Sequence, residues 1–96
     1  MGQSLSAVFV HIIFGTKNRQ PLIDDFIRQR LWTYLGGICS QLKCCPIQIG
    51  GTEDHVHLLT YLSRDICIKD FVGKIKAGSS KWIKTISPCY SSFAWQ

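Results

Sequence analysis

Hydrophobic side chains follow two different periods along this sequence, and the change of period predicts where the first strand and the first helix lie. Residues 6–16 are rich in Val, Ile and Phe, which is typical of a β-strand. Residues 23–43 instead place hydrophobic side chains at helical spacing. Asp24 and Asp25 stand in the first turn of that segment, where the helix dipole favours negative charge. We therefore predict a strand followed by a helix.

Both faces of the first predicted strand are largely apolar. The even-numbered residues from 8 to 14 would face the helices, whereas Phe9, His11 and Ile13 would face the other way. Because apolar side chains on both faces are typical of a strand that is covered on both sides, we expect this strand to be central in the sheet. Whether His11 meets another functional residue depends on the strand register, which the sequence leaves open.

The second half of the chain predicts a hairpin and a second helix. Residues 46–49 and 55–62 are predicted strands, and Gly50–Gly51 is the predicted turn of the connection between them. Residues 66–85 carry an apolar stripe at helical spacing. Ser87–Pro88 then ends the helix, because proline cannot continue it.

The tail completes the order of elements. Phe93 and Trp95 alternate as at the start of a fourth strand. The resulting order, βαββα(β), is typical of an α+β, ferredoxin-like fold with an antiparallel sheet, here with an incomplete fourth strand.

The composition favours a small folded domain with a basic surface. A chain of 96 residues suffices for one domain with one modest core, and a hydrophobic fraction of 46% excludes a disordered chain. The net charge of +5 favours polyanionic partners, although many soluble proteins carry as much. The five cysteines are odd in number and form no Cys-x-x-Cys, so we interpret them as reduced thiols of a cytoplasmic protein. The apolar N-terminal stretch is too short to span a bilayer, and we expect no membrane partner.

Two histidines alternate at the start of the third predicted strand. Side chains at alternate positions share one face, so His55 and His57 stand side by side, about 6.5–7 Å apart along the backbone. Two imidazoles in this arrangement can bind one metal ion, and the same spacing also fits two half-exposed histidines without a ligand. Glu53 and Asp54 add possible oxygen ligands, while Asp54 could equally shape the turn.

Four stretches of the sequence resemble one family in the same order. The run GGTEDHVHLL, residues 50–59, resembles the metal motif of the single-strand DNA transposases of small insertion sequences and of the related transposases of repetitive extragenic palindromes. Residues 10–19 (VHIIFGTKNR) are similar to the family's first strand and basic loop, residues 75–83 (IKAGSSKWI) to its second helix, and residues 93–96 (FAWQ) to the start of its fourth strand. The resemblance covers nearly the whole chain. His-hydrophobe-His alone is weakly specific, whereas the ordered set is specific.

The resemblance implies metal-dependent DNA transposition. In this family two histidines and one further polar residue hold Mg²⁺ or Mn²⁺, which polarises a phosphate of single-stranded DNA beside a hairpin. A tyrosine attacks that phosphate and leaves a 5′-phosphotyrosine and a free 3′-hydroxyl. Carried over to this sequence, the resemblance implies that His55 and His57 are the metal ligands. It also implies single-stranded or hairpin DNA as the partner and a homodimer as the assembly.

The sequence departs from the family at its C-terminal end. The family's tyrosine lies on a helix beyond the fourth strand, and this sequence ends at Gln96. We therefore identify no catalytic residue, and we expect residues 1–96 to form a single transposase-like nuclease domain without the tyrosine helix, as a natural remnant or a truncated protein. Tyr34, Tyr61 and Tyr90 are poor substitutes by their positions.

Two other functions compete with a cutting enzyme. The first is a truncated relative that binds hairpin DNA, or pairs with an intact transposase, without cutting. The second is an unrelated ferredoxin-like metal or ligand binder, which the ordered motifs disfavour. The absence of the family's catalytic tyrosine is what separates the non-cutting relative from the cutting enzyme.

Four basic residues are the candidates for DNA contact. Lys17 and Arg19 lie in the polar loop after the first strand, and the guanidinium fork of arginine suits phosphate. Lys76 and Lys81 lie on the second predicted helix, where a solvated helix surface explains a lysine equally well. We predict that these four residues contribute to DNA binding.

Overall fold

Two helices pack on a small antiparallel sheet. The structure, a computed structural model, describes residues 7–96. Its strands are β1 (Phe9–Gly15), β2 (Pro46–Gly51) and β3 (His55–Tyr61), in the order β1-β3-β2. The helices are α1 (Asp25–Gln41) and α2 (Ile68–Ile86), and short 3₁₀ helices span Lys17–Arg19 and Pro88–Tyr90. The predicted α+β fold and the predicted order of elements are confirmed.

The core lies between the helices and one face of the sheet. Phe14, Val56 and Leu58 supply the sheet side of this core. The helices supply the opposite side, from α1 with Ile27, Leu31, Leu35 and Cys39 and from α2 with Phe71, Ile75 and Ile83. Because Val56 and Leu58 point inward, the residues that alternate with them on β3 must point outward. Packing of the core therefore fixes the face on which His55 and His57 stand.

The start of α1 is tied to the C-terminal tail. The side chain of Asp24 caps the helix by accepting a hydrogen bond from the Ile27 amide at 3.0 Å. The buried hydroxyl of Tyr90 donates to the same carboxylate, at 2.8 and 3.0 Å from its two oxygens. The helix begins and ends two residues inside the predicted bounds, and the tail is anchored to its first turn.

The position of β1 differs from the prediction. β3 is the central strand and β1 lies at one end of the order, so the prediction of a central β1 covered on both faces is wrong. Phe9 and Ile13 on its outer face are 56% and 61% exposed. The physical reason is that both helices pack on the opposite face, and no described element covers this one. An apolar pattern therefore predicts that a face is hydrophobic, but it does not predict whether another element packs on that face.

The turn between β2 and β3 lies later than predicted. β2 continues through Gly51, and Thr52 to Asp54 form the connection. The Thr52 amide donates to the main-chain oxygen of His55 at 2.9 Å, which closes the turn. Gly51 has a φ of +152°, a backbone conformation that a residue with a Cβ rarely adopts.

The tail pairs with the end of β1. The Lys17 amide donates to the Ala94 oxygen at 2.9 Å, and the Gln96 amide donates to the Gly15 oxygen at 2.8 Å. These bonds form one antiparallel bridge and agree with the predicted start of a fourth strand. The indole of Trp95 reaches α2, where it donates to the Ser79 hydroxyl at 2.9 Å.

Neither described helix has the length and apolar character that crossing a bilayer would require.

Candidate active site

Three histidine rings gather on the outer face of the sheet. The ring centroids of His55 and His57 lie 5.1 Å apart, with the ring planes inclined by 44°. The ring of His11 on β1 lies 6.0 Å from that of His57 and nearly parallel to it, at 16°. The register pairs His11 with Leu59 and Ile13 with His57, so His11 is the diagonal neighbour of His57. Strand pairing therefore settles the question that the sequence left open for His11.

A cleft of about 330 Å³ opens beside His57. Gly50 on β2 is the register partner of His57, and because glycine has no side chain it leaves space above the imidazole. The lining residues are His11, Gln48, Gly50, Gly51, His57 and Leu59. Gln48 was not predicted as part of the site, because only the β2–β3 register brings it beside the histidines.

The other histidine of the pair is held by the turn that precedes it. Nδ1 of His55 lies 2.9 Å from Oδ1 of Asp54 and 2.9 Å from Oγ1 of Thr52. The hydrogen bond with His55, assisted by Arg19 and Thr52, holds the pKa of the Asp54 carboxyl below its usual value. Asp54 could have been a metal ligand or a turn residue, and in the structure it shapes the turn and contacts His55. Glu53 is exposed.

The donor set fits part of a metal site. Two imidazoles on one face can supply two nitrogen ligands to a divalent ion, and Mg²⁺ or Mn²⁺ would take oxygen ligands in the rest of the coordination sphere. Within residues 7–96, no group of three His, Cys, Asp or Glu side chains is close enough to hold a metal ion. His55 and His57 would therefore need water or a further residue to complete the coordination sphere of Mg²⁺ or Mn²⁺.

The basic loop after β1 lies at the same end of the sheet as His55. Gly15, the last residue of β1, is the register partner of His55. The Arg19 guanidinium is 3.3 Å from Oδ1 of Asp54, so it contacts the turn that holds His55. Lys17 is exposed at the surface of this loop, and its amide is fixed by the tail. The structure thus brings Arg19 to the turn that holds His55, and Lys17 lies on the same loop.

The two lysines of α2 that are candidates for DNA contact, Lys76 and Lys81, lie elsewhere. Nζ of Lys76 donates to the main-chain oxygen of Gln96 at 2.7 Å and lies 5.6 Å from the centre of the Phe14 ring. Lys81 is exposed on the surface of α2. Neither lysine lines the cleft beside His57. Their predicted role in DNA binding would therefore require a surface wider than the cleft.

None of the three tyrosines lines that cleft. The ring of Tyr34 stacks on Trp82 between the helices, with centroids 4.5 Å apart. Tyr61 shares the outer face of β3 but lies four residues beyond His57, about 13 Å along the strand. Burial, followed by the contact with Asp24, raises the pKa of Tyr90 far above its usual range.

Comparison with known proteins agrees with the family resemblance and with the fold. The family model described as "Transposase IS200 like" matches residues 4–96. The chain belongs to this family of transposases. The resemblance predicted from the sequence is thereby confirmed. The family acts in DNA transposition, so DNA is its substrate.

A solved structure shares the fold of this IS200-like transposase. It is the crystal structure of a protein from Deinococcus radiodurans R1 that is described as a transposase, with a TM-score of 0.87 and 24% sequence identity. The match covers 100% of this chain and 78% of that one. At this identity the likeness establishes the fold alone. No curated protein matches the chain.

Proposed function

We propose that residues 1–96 form a nuclease domain that binds single-stranded DNA beside a hairpin and holds Mg²⁺ or Mn²⁺ on His55 and His57. The observation that carries this proposal is the pair of outward-facing imidazoles, 5.1 Å apart, at the end of the sheet where the basic loop lies. When bound, the divalent ion would stabilise the negative charge that develops on the scissile phosphate.

Other residues of the domain would bind the DNA and orient the scissile phosphate. Lys17 would bind a phosphate next to the histidine pair, since it is exposed on the loop that follows Gly15, the register partner of His55. In the family-type reaction, a tyrosine oxygen bonds to phosphorus while the bond to the 3′ oxygen breaks. The products are a 5′-phosphotyrosine and a free 3′-hydroxyl. A tyrosine other than Tyr34, Tyr61 and Tyr90 would have to perform this attack.

A second candidate function is a non-cutting module that binds hairpin DNA or pairs with an intact transposase. The observation in its favour is that none of the three tyrosines lines the cleft beside His57. Formation of a covalent adduct with DNA distinguishes the two candidates. We also propose a cytoplasmic location, since all five cysteines are free thiols, which suits a reducing compartment.

Removing one imidazole should weaken metal binding. We expect His55→Ala or His57→Ala to lower the affinity for Mn²⁺ at least about tenfold, because loss of an outer partner of a ligand alone costs about 10–100-fold. Isothermal titration calorimetry with Mn²⁺ measures this. Glu53→Gln is the matched control, since it removes an exposed charge beside the motif and should leave the affinity unchanged. Equal heats of Mn²⁺ binding for wild type and both histidine variants would show that His55 and His57 are not metal ligands.

Binding to hairpin-containing single strands should weaken steeply as salt rises. Each phosphate contact releases counterions, so Lys17→Ala should reduce the slope of log affinity against log salt by about 1. Fluorescence anisotropy with a labelled hairpin oligonucleotide at several salt concentrations provides the slope. Lys84→Ala, an exposed lysine near the end of α2, should leave the slope unchanged. Undetectable binding at low salt, or identical slopes for both variants, would contradict a DNA site at the loop.

The edge of β1, which among the described residues is covered only by the bridge to the tail, supports a homodimer with the tail strand near the contact. An open strand edge and exposed apolar side chains both favour association with a second copy. We expect Phe9→Ser, at the exposed start of β1, to shift the equilibrium toward monomer. Phe26→Ser is the control, since Phe26 is 66% exposed but lies on α1. Multi-angle light scattering measures the mass, and a wild-type monomer at high concentration would reject the dimer.

A further inference from the structure

Three hydrogen-bond donors converge on one carboxylate oxygen in the turn before β3. Oδ1 of Asp54 lies 2.9 Å from Nδ1 of His55, 3.2 Å from the Thr52 hydroxyl and 3.3 Å from the Arg19 guanidinium. The Thr52 hydroxyl is in turn 2.9 Å from the same Nδ1. The ring of His55 is therefore contacted from the turn through only one of its two nitrogens.

These contacts determine which ring nitrogen carries the proton. An ionised carboxylate only accepts hydrogen bonds, so the short contact with Asp54 requires a hydrogen on Nδ1 of His55. The Thr52 hydroxyl donates its own hydrogen to Asp54, so towards Nδ1 its oxygen acts as an acceptor. The Arg19 guanidinium, a permanent positive charge 3.3 Å from Oδ1, favours the ionised carboxylate. The lone pair of the neutral ring must then reside on Nε2.

We propose that Asp54 is the positioning residue of His55: it fixes the Nδ1–H tautomer and the ring orientation, and it leaves Nε2 free for a metal ion, while Arg19 holds the carboxylate in place. The consequence for metal binding rests on the proposed function, whereas the tautomer does not. A carboxylate partner on the second nitrogen is a general means of orienting a histidine ligand.

The main chain around Asp54 is fixed as firmly as its side chain. Its carbonyl oxygen accepts from the amide of the fully buried Thr16 at 2.8 Å. A Cβ on Gly15 would lie 3.2 Å both from that oxygen and from Cδ of Arg19. Glycine at position 15 therefore lets the arginine pass close to the strand and reach the carboxylate. The loop after β1 and the turn before β3 form one rigid support.

This arrangement gives Arg19 a role different from the one its sequence position predicts. A phosphate contact would be the direct use of its guanidinium, whereas here the guanidinium binds the residue that orients His55. Loss of Arg19 should then alter the His55 ring. Loss of Lys17, which has no contact with Asp54, should alter DNA affinity alone.

The tautomer is measurable in the metal-free protein. Long-range ¹H–¹⁵N correlation spectra of the histidine rings distinguish the protonated from the unprotonated nitrogen. At neutral pH we expect His55 in the Nδ1–H form in wild type. In Asp54→Ala the Nε2–H form should become the major one. Asp54→Asn should keep the Nδ1–H form, because an amide oxygen can take the position on which the three donors converge, and Glu53→Ala should change nothing.

The same variants should also differ in their affinity for Mn²⁺. Asp54→Ala should lower the affinity about 10–100-fold, and Arg19→Gln should lower it less, while Glu53→Ala leaves it unchanged. A wild-type His55 with its proton on Nε2, or an Asp54→Ala variant with an unaltered tautomer, overturns the assignment whatever the metal does. If wild type has the expected tautomer and binds no Mn²⁺, the proposed function fails and the orientation of His55 by Asp54 stands.

Discussion

Incubated with a labelled hairpin oligonucleotide and Mn²⁺, the 96-residue polypeptide should form no covalent protein–DNA adduct. A tyrosine attack requires a hydroxyl held beside the scissile phosphate, and none of the three tyrosines lines the cleft beside His57. Tyr90, for example, donates its hydroxyl to both oxygens of Asp24. Without a positioned nucleophile the proximity advantage, worth about 7–11 kcal/mol, is lost.

A denaturing gel decides this prediction, because a covalent adduct survives denaturation and migrates as a retarded band. Water can replace the tyrosine only slowly, so free cleavage products should also be scarce. The control is the same incubation with His57→Ala, which should look identical to wild type. An adduct formed by wild type and lost in His57→Ala would contradict the prediction, and Tyr61→Phe and Tyr90→Phe would then show which residue carries the DNA.

The elements of the fold follow from local periodicity, which explains why they could be predicted. The helical spacing of hydrophobic residues in α1 places its bounds within two residues of those observed. The alternation in β3 predicts a polar and an apolar face, and Val56 and Leu58 are fully buried as that alternation requires. Whether both faces of β1 are covered could not be predicted in the same way, because that depends on where the other elements pack.

The site could be predicted only in part, for a physical reason. Neighbours on one strand are fixed by its period of two, so the juxtaposition of His55 and His57 follows from the sequence. Neighbours on different strands depend on register, and so the approach of His11 to His57 did not follow. The contact between Arg19 and Asp54 joins residues 35 positions apart in the chain, and only the folded loop and turn bring them together.

The Gly50–Gly51 pair offers a test of the turn that supports the site. The two glycines are adjacent on β2, yet their surroundings differ. A Cβ on Gly51 would collide with the main-chain oxygen of His55 and would lie 2.8 Å from Cα of Val56, whereas a Cβ on Gly50 would meet nothing within 4 Å. Only Gly51 also has a positive φ, of +152°.

Gly51→Ala should therefore lower the free energy of unfolding by more than about 2–3 kcal/mol, because an unfavourable backbone conformation and a clash with the main chain add together. Gly50→Ala should stay close to wild type in stability. Urea denaturation followed by circular dichroism measures both variants. The colliding oxygen belongs to His55, so any Gly51→Ala protein that folds must move the backbone of the histidine pair and should bind Mn²⁺ more weakly. Equal urea midpoints for the two alanine variants would show that the turn tolerates a side chain at position 51 and does not constrain His55 as argued.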